Sequence, residues 1–169
     1  QLIDESVNWN QVFRNCNDRT VDGQWRDLHW RIISHALPLR GRLHRENVSV
    51  IEACPSCGLS AETDVHFLWE CSKSKEVWTL AESFLREMFK IGLRIDFKTA
   101  LTGQPSPSKW WKRMSDTKRS FIRAVLAAAR WTIWCQRNKF LLNADPPDRM
   151  EIKSLFEKEI RVWLELRRR

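Results

Sequence analysis

No stretch of this 169-residue chain approaches the roughly 18 uninterrupted apolar residues that a membrane-spanning helix needs, so no membrane partner is expected. The first residues, Gln1-Leu-Ile-Asp-Glu, lack both a Met and a signal-peptide pattern, which reads as a segment cut from a longer protein. Internal repeats are absent. Linker material is scarce: Gly103-Gln-Pro-Ser-Pro-Ser108 is the one such stretch and is too short to separate independent domains. There are five cysteines, an odd number, and their spacing is that of metal ligands, so a reducing compartment, cytoplasm and nucleus, is expected. Acidic residues are nearly missing from residues 109–139, where Asp116 stands alone against nine Lys and Arg.

What is present suffices for a core. The apolar share is 43%, with ten Trp and eight Phe to supply bulky packing groups. Apolar positions recur at helical spacing in several places. Trp9, Val12, Phe13 and Cys16 mark a short helix. Trp25, Leu28, His29, Ile32, Ile33 and Ala36 mark a second, ended by Pro38, on which His29 and His35 read as packed or hydrogen-bonded rather than as ligands. Residues 40–45 form a short basic helix, and Val48–Ile51 a brief strand. Val77, Leu80, Ala81, Phe84, Leu85, Met88 and Phe89 form another helical face, stopped at Gly92. A long helix runs from about Ser115 to Asn143, broken by Asp145-Pro-Pro-Asp148. Asp148 then precedes Glu151 by three, a capping pair for a last helix bearing Ile152, Leu155, Phe156, Ile160 and Trp163. The expected fold is mainly α, a helical domain with a small metal module inserted between helices. Residues 1–49 are its N-terminal helical segment, 50–75 the metal module, and 76–169 a C-terminal helical segment with the basic long helix, all in one cooperative domain.

The metal module is Cys54-Pro-Ser-Cys57-Gly-Leu-Ser-Ala-Glu-Thr-Asp-Val-His66-Phe-Leu-Trp-Glu-Cys71, that is, C-x2-C-x8-H-x4-C. Three thiolates and an imidazole suit a closed tetrahedral Zn2+ site, with Cys54, Cys57, His66 and Cys71 as ligands. Buried thiols or disulfides are the alternative reading. Cys16 and Cys135 read as buried thiols. His66 and Cys71 would stand roughly 140° apart on an unbroken α-helix, so the helix beginning near Glu62 has to end before Cys71.

The charge is as uneven as the cysteines. The net +8 of the whole chain equals the excess held by residues 109–139 alone. Lys109, Trp110, Trp111, Lys112 and Arg113 interleave cations with aromatics. Lys118, Arg119, Arg123, Arg130 and Arg137 follow on the long helix, the last four at spacings that suggest one shared face. Such an arrangement suits a nucleic-acid strand, with phosphates on the cations and bases stacked on indoles. A solvated helix face with core tryptophans is the alternative, in which some arginines pair with Glu157, Glu159 or Glu165. Trp131, Trp134 and Trp163 are assigned to the core.

The Leu28–His44 run, LHWRIISHALPLRGRLH, followed by Cys54–Cys71 and Val77-Trp78, resembles the zinc-binding region that follows the reverse transcriptase of LINE-type (non-LTR) retrotransposons. Trp131-Thr-Ile-Trp134-Cys-Gln-Arg137-Asn138 resembles the W-x2-W-x2-RN element further along that region. The resemblance covers roughly residues 25–143. It implies a CCHC zinc-knuckle-like motif at the four ligands, and a parent polyprotein, an RNA-directed DNA polymerase with endonuclease, that nicks DNA and copies its RNA there. It implies no catalysis by this segment, which holds no Asp-Asp pair. Asp148…Glu151-Ile-Lys153 has a superficial likeness to a nuclease site and is better explained as a helix cap. The expected role is therefore a non-catalytic, zinc-binding module that holds template RNA or target DNA beside the upstream polymerase domains. The alternative is a structural module that buttresses the polymerase without touching nucleic acid.

Overall fold

The computed structural model describes residues 7–90, 92–105, 109–142 and 148–166. Helices dominate them: α1 (Trp9–Cys16), α2 (Gly23–Ile33), α3 (Arg40–Arg45), α4 (Ser72–Phe89), α5 (Phe97–Thr102), α6 (Lys109–Arg113), α7 (Asp116–Leu142) and α8 (Arg149–Leu166), with a π turn at His66–Glu70 before α4. The mainly α architecture with an inserted Cys/His module is thus as expected.

Short polar side chains start the helices by accepting backbone N–H groups that no helical carbonyl can reach. Asn8 accepts from Gln11, Asp22 from Gln24 and Asp96 from Thr99. The Asp148 carboxylate accepts from the Glu151 N–H at 2.7 Å, the capping role assigned to it from sequence. Pro38 does not end α2. The stop comes earlier, at His35, whose φ of 53° is left-handed. Its N–H reaches the Ile32 carbonyl and the next N–H, of Ala36, reaches that of Arg31, closing the helix end. Lys90, likewise left-handed, ends α4 ahead of Gly92.

The centre of the molecule is α7. Ala124 through Arg130 are buried at every position, a degree of enclosure that a helix reaches only when packed on several sides. Four alanines in that stretch keep its surface low, so α2, α4 and α8 all pack against it. Phe84, Phe121, Phe156 and Trp163 fill the space between α4, α7 and α8 with stacked and edge-on ring pairs. The Trp163 indole also donates to the Thr20 carbonyl at 2.6 Å, tying α8 to the α1–α2 turn.

Other expectations need correction. Val48–Ile51 forms no strand; the chain pairs slightly later, in one antiparallel bridge between Ala53 and Ala61. Met88 points to solvent, because the packed face of α4 is taken by Val77, Trp78, Ala81 and Leu85. Helix α5 was not anticipated at all; its apolar content is too short for a periodic signal. The break assigned to Asp145-Pro-Pro, the Asn143 end of the long helix and the Ser106–Ser108 part of the linker lie outside the described residues.

Gly41 carries a test of this packing. A Cβ there would come 2.8 Å from the backbone oxygen of Glu62, too close for either chain to stay in place. Gly41→Ala is expected to cost about 1–3 kcal/mol in chemical denaturation, as overpacking does, and to raise hydrogen exchange first around Glu62 and the bridge.

Candidate metal centre

The four sequence-predicted ligands converge. The ligand atoms of Cys54, Cys57, His66 and Cys71 all lie within 4.8 Å of one another. Cys54 Sγ is 3.9 Å from Cys71 Sγ, and Cys57 Sγ is 3.3 Å from His66 Nε2. A tetrahedral ion bound at about 2.3 Å to sulfur and 2.0–2.1 Å to nitrogen places its ligand atoms roughly 3.5–3.8 Å apart. The group therefore has the size of such a shell, and its three sulfurs and one imidazole suit a soft or borderline cation.

Local structure explains the convergence. Cys54 and Cys57 sit on a tight turn in which the Gly58 N–H bonds the Cys54 carbonyl at 2.8 Å and Gly58 takes a φ of 69°. The turn is held in place by the Ala53–Ala61 bridge, with the Cys54 N–H on the Ser60 carbonyl at 2.7 Å. On the other side, Thr63 starts a short helix, accepting the His66 N–H on its hydroxyl. That helix widens into the π turn, closed by the Cys71 N–H on the His66 carbonyl at 2.9 Å. An i→i+5 turn sets residues five apart nearly above one another, which removes the misalignment expected for an α-helix. The widening strips the Phe67 and Leu68 carbonyls of helical partners. Ser74 Oγ donates to the first at 2.6 Å and the Trp78 indole to the second at 2.7 Å, so both stay satisfied in the buried interior.

The sulfurs are also held electrostatically. The Cys71 thiol is shifted below its ordinary pKa, chiefly because the Cys54 thiol donates to it and also because backbone N–H groups of Lys73 and Ser74 point at it. These donors belong to the first turn of α4, where the helix dipole also favours an anion. Hydrogen bonding to Cys71 and burial push Cys54 upward, while N–H groups of Cys57 and Ser56 act the other way. A three-thiolate shell would have these backbone donors to offset its excess negative charge.

Sequence reasoning missed the residue that ties this centre to the core. Glu62 is fully buried, and its carboxylate accepts from Arg137 Nε and Nη2, both at 2.9 Å, and from the Arg40 N–H at 2.7 Å. Arg137 further donates to the Pro38 carbonyl and lies over the Trp134 ring, and Arg40 donates to the Ala53 carbonyl. One fork thus joins the metal loop, the entry to α3 and the C-terminal half of α7. The partners are 75 residues apart, and the recurrence of Arg137 inside a charged helix pointed the wrong way.

The ten residues assigned to nucleic acid do not form one surface. Arg130 and Arg137 are buried, at 3% and 4% exposure, and bond within the fold, Arg130 to the Ala100 carbonyl at 3.0 Å. They therefore face away from solvent, because helices α2 and α5 and the metal module cover that side of α7. Trp111 is buried in the core and offers no free ring for stacking. Arg123 pairs with Asp18 at 3.1 Å and Arg119 with Asp116 at 2.6 Å, so the glutamates of α8 are not the acids that answer these arginines. Lys112, Arg113 and Lys118 are exposed, and Trp110 is half-buried against the core. The Lys109 side chain lies outside the described residues. Trp163 is buried, while Trp131 and Trp134 pack against the core and stay partly accessible.

Residues 4–78 match the family described as zinc-binding in reverse transcriptase. The match spans α1 through the first turns of α4 and contains all four ligands. No curated protein and no solved structure matches the chain.

Cys71→Ser is expected to lower the melting temperature more than Cys16→Ser, which loses only a buried thiol, and chelators should raise hydrogen exchange in residues 50–75 before the flanking helices. Glu62→Gln leaves Arg137 buried without its anion and is expected to cost about 3–5 kcal/mol in denaturant unfolding. Glu62→Gln combined with Arg137→Met should cost clearly less than the sum of the single changes, as a double-mutant cycle would reveal.

Proposed function

We propose that this chain is a non-catalytic, zinc-binding accessory module of a reverse transcriptase of the LINE type, and that it holds template RNA or target DNA near the polymerase. The carrying observation is the Cys54–Cys57–His66–Cys71 group, whose size fits a tetrahedral zinc shell, within a stretch that matches a zinc-binding family of reverse transcriptases. When bound there, zinc supplies a four-fold cross-link; in such modules binding is worth about 10–16 kcal/mol to folding. With all four positions taken by protein ligands, no site is left for substrate or an activated water, which speaks for a structural ion.

Contact with nucleic acid rests on the cations that the fold leaves in solvent. Lys112, Arg113 and Lys118 flank the start of α7, with the ion-paired Arg119 beside them and the half-buried Trp110 on α6. The N-terminal end of a 27-residue helix adds its own positive potential to that patch. The buttress reading keeps a specific observation of its own: Arg130, Arg137 and Trp111 serve the interior.

Salt titration separates the two. Changing Lys112, Arg113 and Lys118 together to Gln is expected to flatten the log–log salt dependence of single-strand binding by roughly 2–3 units, at unchanged metal content and melting temperature. Trp110→Ala should weaken the same binding by about 1–3 kcal/mol if its ring stacks on a base. An unchanged salt slope in the triple variant would leave the buttress role standing in place of nucleic-acid contact. Metal analysis of the purified chain should find about one zinc per molecule.

A further inference from the structure

Away from the metal centre, α1, α2, α7 and the turn after α5 enclose a small polar cavity. It is walled by Asn15, Arg26, His29, Gly103, Arg123 and Arg130 together with apolar groups, and it has about 10 Å3 for the centre of a water-sized particle. One water or one monatomic ion fills such a space; a phosphate group does not.

The walls carry more positive charge than the fold answers. Arg123 is balanced by Asp18. Burial pushes the Asp18 carboxyl upward, but hydrogen bonds from the Thr20 hydroxyl and N–H and the Arg123 charge outweigh it and hold it below its ordinary pKa. Among the described residues, no acid pairs with Arg130 or Arg26. Arg130 is buried and spends Nη1 on the Ala100 carbonyl, yet among the described residues its Nε has no partner, and the buried Nε of Arg26 has none either. Burial lowers the pKa of Arg130 to about 10, which leaves it charged at neutral pH. The neighbouring Cys16 is no counterion, because burial raises its thiol to about 11. His29 bonds the Leu101 carbonyl through Nε2, and burial together with the Arg130 charge drives its pKa well below the ordinary value, so it is neutral. Both arginines line this one cavity, and each carries a buried Nε–H that no described group accepts. Arg130 is a buried cation held by one carbonyl and no acid among the described residues, and an anion beside it would offset the cost of that burial.

Gly103 keeps the space open. Its φ of 71° favours glycine, and a Cβ there would lie 3.1 Å from both Arg130 Nη2 and His29 Cε1.

We propose that this cavity binds one monatomic anion, chloride under physiological conditions, between the guanidinium groups of Arg26 and Arg130. The site is independent of the metal centre and of the exposed cations at the start of α7.

Thermal melting of the purified chain in sodium chloride, sodium bromide and sodium gluconate at matched ionic strength tests it. Chloride and bromide are expected to raise the midpoint by about 2–4 °C over gluconate, saturably with concentration. Crystals grown in bromide should show an anomalous peak between Arg26 and Arg130. Arg26→Gln, at a partly exposed position, should abolish the halide-specific difference while leaving the chain folded; Arg130→Met should do the same if it folds. Coincident melting curves for the three salts, a bromide map with no anomalous peak in the cavity, or a halide shift undiminished in Arg26→Gln would each overturn the proposal in favour of a water molecule.

Discussion

The buried pairing of Glu62 with Arg137 is the constraint on which the arrangement of this molecule depends. Both groups are removed from water, and each is fully engaged: the carboxylate by two guanidinium N–H groups and one backbone N–H, the guanidinium by the carboxylate, a carbonyl and an indole face. A desolvated ion pair tolerates little displacement, since losing one contact exposes an uncompensated charge to a low-dielectric interior. The metal loop is accordingly fixed to α7 in one position. Gly41 contributes by letting the α3 backbone approach the Glu62 carbonyl, where its N–H bonds at 3.3 Å.

Seen from that pair, the metal centre and the helical core divide the work. The loop between Glu52 and Cys71 has one β bridge and a few polar turns of its own and exposes Leu59. Only its last turn, through Phe67 and Leu68, joins the apolar core, so a metal at the four ligand positions would tie down the part that burial does not reach. The core has the opposite character. Its central helix is rich in alanine and surrounded by Phe and Trp side chains from α4 and α8. The π turn is where the two meet: its wall toward the sulfurs carries His66, and its two released carbonyls are capped by Ser74 and Trp78 of α4.

How much of this can be read from sequence depends on how local the cause is. The ligands, the α8 cap and the long helix rest on spacings within a few turns of chain, and those were legible: Cys54, Cys57, His66 and Cys71 do come together, and Asp148 does cap. The fate of the arginines was not, because burial is decided by what packs on top. Arg119, Arg123, Arg130 and Arg137 look alike in sequence, yet the first two pair near the surface while the last two are covered by α2, α5 and the metal loop. A run of cations with few acids nearby says nothing about acids 75 or 105 residues away, and those are the distances to Glu62 and Asp18. Trp111 was misjudged for the same reason, whereas Trp163 was placed correctly by its position on the apolar stripe of α8.

The π turn bears on how long this loop is allowed to be. In an α-helix the residues that stand above one another are four apart; in a π turn they are five apart. His66 and Cys71 could thus be brought to the same metal by a chain one residue shorter, with the wide turn relaxed to an α-turn. The wide turn therefore accommodates one residue more than an x3 spacing would need. The extra residue falls in a stretch whose Phe67 and Leu68 carbonyls are held by Ser74 and Trp78. Spacing between the last two ligands is therefore a softer criterion for recognising such a site than spacing between the first two, where the Cys-Pro-Ser-Cys turn leaves no comparable slack.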